Sequence, residues 1–211
     1  MSAAFAQIAA VRLLLALLTG LLVGCATPAA ENNQRSPVPT FDPGSIESPA
    51  VPRDAFPATV VRVVDGDTVI AAVAGSTRPV RVRLIGIDTP ETVRPNTLVA
   101  CYGEQAATLS RRLLTGARVR AAYEPGGRQD RFGRELWDVW LSDGRFVQAV
   151  LVTAGAARAY PYRPQVRYAG LIARLADAAR VGRRGLWGPP CDGHSFGEPH
   201  RSRTSVGRQL D

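Results

Sequence analysis

The sequence predicts an α+β domain: a five-stranded Greek-key β-barrel with three helices packed around it. Three observations carry this. Short β-rich runs alternate with turn signals in the first half of the folded region. Those runs form a meander before any helical pattern appears. Three stretches with apolar residues at helical spacing then flank and follow the last two strands.

The first strand is residues 58–64, Ala-Thr-Val-Val-Arg-Val-Val, dense in β-branched residues. Asp65-Gly66 is a hairpin signal, and residues 68–73 are the returning strand. Gly75-Ser76 marks a second turn, and the third strand runs over 80–87 to a break at Thr89-Pro90. Residues 103–114 read as a helix with Ala106, Ala107, Leu109, Leu113 and Leu114 as its apolar positions, ended by Gly116. A fourth strand covers 119–123, and a fifth covers 134–141 with Ser142-Asp143-Gly144 closing it. Residues 146–153 form a short helix. Residues 168–181 form a longer one, with Leu171, Ile172, Leu175 and Ala179 at core spacing. Five strands and three helices in this span fit a partly open OB-fold barrel. No internal repeat is present.

The flanks differ in character. Residues 1–25 read as a secretory signal, with Arg12 leading an apolar run of about eleven residues that is too short to span a bilayer. The run ends Leu22-Val23-Gly24-Cys25, a lipobox-like sequence in which Cys25 is the expected lipidation site. Residues 26–54 are rich in Pro, Ser, Asn and Gly without apolar period, and read as a disordered linker. The folded domain is expected over 55–191, followed by a disordered polar tail over 192–211. The expected location is the outer face of a bacterial membrane, or the medium after release.

Composition narrows the chemistry. The net charge is +8, and all 26 basic residues are arginines. Such a balance favours polyanions: nucleic acid or an anionic surface. The absence of lysine excludes a P-loop lysine and Schiff-base catalysis. The only histidines, His194 and His200, stand in the tail, which excludes a Ser-His-Asp triad or a histidine-rich zinc site in the core.

Chemistry concentrates around Arg83-Leu84-Ile85-Gly86-Ile87-Asp88-Thr89-Pro90-Glu91. An arginine inside an apolar strand needs an anionic partner. Asp88 and Glu91 flank the Pro break. The acidic turn Asp65-Gly66-Asp67-Thr68 precedes them and Arg131-Phe132-Gly133-Arg134 follows. Taken alone, Asp65-Gly66-Asp67 is a plain hairpin turn. The ensemble of carboxylates and arginines, with no histidine nearby, suits a hard cation and a phosphate ester. An EF-hand does not fit, because no third acidic ligand follows in register.

On these motifs, with Tyr102-Gly103-Glu104 and Tyr160-Pro161-Tyr162 in order after them, the chain resembles the staphylococcal nuclease (thermonuclease) family from about Ala58 to Trp187. The resemblance implies an OB-fold enzyme that cuts DNA and RNA with one Ca²⁺ and leaves 3′-phosphates. It implies Asp67 and Asp88 as carboxylate ligands of the ion and Thr89 as a carbonyl ligand. Glu91 would orient or deprotonate the attacking water, and Arg83 and Arg134 would clamp the phosphate. Tyr160 and Tyr162 would lie near the nucleotide, and Arg131, Arg94 and Arg163 along the backbone. Phe132 departs from the tyrosine that many relatives carry, which removes a hydroxyl contact to the substrate. The rival class is a binding module of the same fold without catalysis. A surface protein binding another anionic polymer is a third reading. Cys101 and Cys191, two cysteines in an exported domain, predict a disulfide by count and compartment. A monomer is expected.

Overall fold

The computed structural model describes residues 46–92, 99–161 and 166–196. The expected signal and Cys25, the linker up to residue 45, Arg94, Tyr162, Arg163 and the tail from 197 lie outside the described residues.

Five strands close into a barrel in the order β1 (Phe56–Val63), β2 (Thr68–Val73), β3 (Val80–Leu84), β6 (Glu135–Leu141), β5 (Arg118–Tyr123). All neighbours are antiparallel except β3 and β6, which run parallel through Val82↔Glu135 to Leu84↔Trp137. The barrel is closed, not partly open. The β3–β6 pairing and the β1–β5 pairing leave no edge on the main sheet.

Alternation explains the strands. In β1, Ala58, Val60 and Val63 are buried while Pro57 and Thr59 face out. The alternation slips at a bulge between Val60 and Arg62, which turns both Val61 and Arg62 outward. Strand β6 is buried almost throughout, from Leu136 to Leu141, because helices cover its outer side. Helix α1 (Gly103–Leu114) matches its predicted bounds, and α2 (Val147–Thr153) and α3 (Ala169–Val181) each begin one residue later than expected. Trp140, Phe146 and Tyr168 pack as a cluster, with ring centroids 5.0–5.8 Å apart, where α2 and α3 meet the barrel.

Three further expectations change. The third strand does not run unbroken to Ile87: it stops at Leu84. Gly86 has φ +82, and a Cβ there would meet Ile172 Cδ1 at 2.7 Å, so glycine alone makes this kink. The chain resumes as β4 (Ile87–Asp88), paired with β7 (Arg158–Ala159), a strand with too few residues to show periodicity. Second, residues 46–54, read as the end of the linker, lie on the domain. The Trp140 indole donates to the Pro49 carbonyl at 2.9 Å, the Phe146 amide donates to Ser48 Oγ at 3.0 Å, and Arg174 pairs with Glu47. Third, order continues past 191: Asp192 pairs with Arg183, and Ser195 is buried. Cys101 and Cys191 are disulfide-bonded with Cα atoms 5.7 Å apart.

Candidate functional site

The kink at Gly86 opens a cleft of about 360 Å³ at one mouth of the barrel. It gathers the acidic turn, the end of β3, β4, the start of β6 and β7. Asp67, Arg83, Asp88, Thr89, Glu91, Arg131, Arg134 and Tyr160 all line it, so the described residues singled out by sequence meet in one place. Asp65, Asp130, Phe132 and Arg158 line it too.

The acidic turn is built from its own side chains. Asp65 Oδ1 accepts the Asp67 amide at 3.1 Å, an Asx turn. Gly66 is required by close approach: a Cβ there would stand 2.6 Å from Thr89 Oγ1. Ser110 from α1 donates its hydroxyl to the Gly66 carbonyl and fixes the turn from behind. Asp67 is buried; its Oδ1 accepts the Thr68 hydroxyl at 3.1 Å and its Oδ2 accepts the Thr89 amide at 2.9 Å. The turn is thereby joined to the end of β4.

Arg83 joins the two central carboxylates. Its Nη2 lies 3.2 Å from Asp67 Oδ2 and 3.4 Å from Asp88 Oδ1, and its Nη1 donates to the Leu84 carbonyl. Asp88 Oδ2 accepts from Arg158 twice, from Nε at 3.0 Å and Nη2 at 2.8 Å. Sequence reasoning did not single out Arg158. The available signal was an arginine among small apolar residues in Gly155-Ala156-Ala157-Arg158-Ala159, which requires an anionic partner as Arg83 does. Arg158 is stacked as well, its guanidinium carbon 3.8 Å from the Phe196 ring centroid and 5.6 Å from that of Tyr160.

On the opposite wall, Asp130 organises the loop before β6. Its Oδ1 accepts the amides of Phe132 at 2.9 Å and Arg134 at 3.0 Å, and its Oδ2 accepts Arg134 Nε at 2.7 Å. Burial opposes the Asp130 charge, but these hydrogen bonds outweigh it and hold the carboxyl below the usual range. The pairing uses Nε and leaves the terminal amines of Arg134 out of the contact with Asp130. Phe132 is 67% exposed at the rim, with Arg131 and Arg134 over its ring at 4.7 and 5.5 Å. Tyr160 is anchored by its amide, which donates to the Gly86 carbonyl at 2.8 Å. Glu91 Oε1 accepts the Thr92 amide at 3.1 Å, and the Glu91 carbonyl accepts the Ala100 amide at 3.0 Å. The loop after Glu91 is thus pinched at its base, one residue before the disulfide at Cys101.

Burial and neighbouring carboxylates disfavour charge on two of these groups. Burial first, then repulsion from Asp67 and Glu91, push the Asp65 carboxyl up to about 6. Burial and repulsion from Asp67 also raise Asp88, against the lowering effect of Arg83 and Arg158. A cation among these oxygens would relieve both. The donor set is all oxygen, which suits a hard ion and not zinc. No set of three or more His, Cys, Asp or Glu among the described residues would hold a metal by itself. Two carboxylates and a carbonyl completed by waters still fit Ca²⁺, whose coordination is loose.

Comparison with known proteins agrees with the fold. The family model described as staphylococcal nuclease homologue matches residues 81–189. The chain is 41% identical over 128 residues to a thermonuclease of Staphylococcus hyicus, covering 61% of this chain and 73% of that one. It is 44% identical over 130 residues to a thermonuclease of Staphylococcus intermedius, covering 61% and 74%. It is 35% identical over 130 residues to endonuclease YncB of Bacillus subtilis, covering 61% and 60%. The barrel topology, the cleft and these matches together place the chain in the staphylococcal nuclease family.

Proposed function

We propose that this chain is a calcium-dependent nuclease that hydrolyses phosphodiester bonds of DNA and RNA and leaves 3′-phosphates. The observation that carries the reading is the bridging of Asp67 and Asp88 by Arg83 in one cleft that also holds Glu91 and Arg134. The thermonuclease and endonuclease names of the relatives support the same class.

In this reading Asp67, Asp88 and the Thr89 carbonyl hold one Ca²⁺, which supplies Lewis-acid charge to the scissile phosphate when bound. Arg83 and Arg134 face that phosphate from two walls and stabilise its growing negative charge. Each is oriented beforehand, Arg83 by Asp67 and Asp88, Arg134 by Asp130, so little reorganisation accompanies the reaction. Glu91 orients the attacking water and accepts its proton as the new P–O bond forms. The P–O5′ bond breaks in line, the departing 5′ oxygen takes up a proton from solvent water, and phosphate stays on the 3′ side. Tyr160, Phe132 and Arg131 form the rim on which a base and its backbone rest; Tyr162 has the same assignment from sequence. A monomer suffices for this chemistry, since one barrel supplies every group.

Export and anchoring through an acylated Cys25 complete the proposal and rest on the sequence of residues 1–25. Membrane fractionation with intact-mass analysis of the mature N-terminus tests that part. For catalysis, Glu91→Gln is the direct test. Cleavage should fall at least about a hundredfold, the scale of a lost general base, while binding of the nucleic acid is retained. Unchanged turnover would remove Glu91 from the mechanism.

A further inference from the structure

Four of the five barrel strands contain no carboxylate. β1, β2, β3 and β5 read FPATVVRV, TVIAAV, VRVRL and RVRAAY. Their arginines are not scattered. Residues two apart on a strand share a face, as do residues directly opposite on antiparallel neighbours. Arg83, which lines the cleft, shares a face with Arg81. Arg81 stands opposite Ile70, and Ile70 stands opposite Arg62. Arg118 stands opposite Thr59 on the far side of β1. One outer wall therefore carries Arg83, then Arg81 about 7 Å along the strand, then Arg62 about 10 Å across two strand spacings, with Arg118 beyond. Arg62, Arg81 and Arg118 are exposed, and among the described residues no carboxylate is paired with any of them. The bulge that turns Arg62 outward departs from strict alternation to place a charge there.

We infer that this wall is a track for the sugar-phosphate backbone of a polynucleotide strand, running from Arg83 at the cleft through Arg81 to Arg62. The inference deepens the nuclease reading and rests on it: the preferred substrate is then a polymer several nucleotides long, not a mono- or dinucleotide. Continuity with the phosphate-facing Arg83 favours a nucleic-acid strand. An anionic bilayer is disfavoured because Val61 is the one exposed large hydrophobic residue on these strands, and a membrane-seated surface needs an apolar face.

The test compares the wild type with R62Q/R81Q and with R174Q/R180Q, which removes the same charge from exposed positions on α3. Binding of a single-stranded DNA of about 20 nucleotides is read by fluorescence anisotropy over a salt series in chelator, so that cleavage plays no part. Circular dichroism verifies the fold of each variant. For R62Q/R81Q, Kd should rise about tenfold at moderate salt, and the log–log salt slope should flatten by about 1.4, the loss of two phosphate contacts on a single strand. R174Q/R180Q should keep the wild-type slope. In Ca²⁺, the ratio of kcat/KM for the long strand over a dinucleotide should fall in R62Q/R81Q alone. An unchanged slope in R62Q/R81Q, or an equal change in R174Q/R180Q, would overturn the track. So would loss of binding to phosphatidylglycerol vesicles with DNA binding intact. If no variant, the wild type included, cleaves in Ca²⁺, the nuclease reading fails while the anisotropy still decides the track.

Discussion

Arg158 holds Asp88 across 70 residues of sequence, with Nε and Nη2 both donating to the same oxygen, Oδ2. The pairing brings β7 against β4 and leaves Asp88 Oδ1 to Arg83. Phe196 stacks on the same guanidinium, so residues just beyond the disulfide complete the support of Asp88. Arg158→Ala should therefore lower cleavage about 10- to 100-fold, the usual cost of losing a residue that orients a ligand. The loss should fall on kcat more than on KM. Arg158→Lys should not restore it, because a single ammonium cannot reproduce the paired donors. Steady-state kinetics of the two variants decide this.

Gly66 and Thr89 meet too closely for any side chain at position 66. Gly66→Ala should cost about 1–3 kcal/mol, as overpacking does, and should displace Asp67 from the Thr89 amide. Urea denaturation measures the first effect. A loss of activity larger than the loss of folded protein would report the second.

The disulfide closes a sequence separation of 90 residues. In the chain-entropy account a loop of that size contributes up to about 5 kcal/mol. The double variant Cys101→Ser/Cys191→Ser should unfold at markedly lower denaturant concentration. Reductant should shift the wild type toward the same midpoint. Because Cys101 adjoins the pinch between Glu91 and Ala100, activity should decline in both cases before global unfolding.

Asp138 lies in β6 with neither carboxylate oxygen hydrogen-bonded, fully inside the protein. Burial, then repulsion from Glu124, push its carboxyl up to about 8, with Arg167 pulling the other way. The folded state thus holds a proton that the unfolded state releases near its ordinary value of 3.8. Stability from this group is complete below that value and is lost as pH rises toward about 8, by at most about 1.4 kcal/mol per pH unit. Asp138→Asn should flatten stability over that window and be more stable than the wild type at pH 8. Thermal melts at several pH values provide the check.

The barrel was legible because its strands alternate and its turns carry Gly, Asp and Ser. The helices were legible because Ala, Leu and Ile recur at helical spacing. What escaped was written in other terms. A strand as short as β4 or β7 has no period to read. Ser48 and Pro49 dock through a hydroxyl and a carbonyl, so a segment with linker composition gave no hint of its place beside Trp140 and Phe146. Arg158 belongs to the cleft only because the kink at Gly86 turns β4 toward β7, and Phe196 is tied to it only by stacking on that guanidinium. Asp130 directly precedes Arg131-Phe132-Gly133-Arg134, but its part in orienting Arg134 through Nε needed the loop geometry.

As proposed, this cleft cleaves phosphodiesters with a bound calcium ion. The most direct measurement is release of acid-soluble nucleotides from single-stranded DNA by the purified protein, with millimolar Ca²⁺ and with chelator, for the wild type and for Asp67→Asn/Asp88→Asn. The wild type should release nucleotides in Ca²⁺ alone, and the double variant in neither condition. Binding without release in Ca²⁺, or release that persists in chelator, would contradict the proposal.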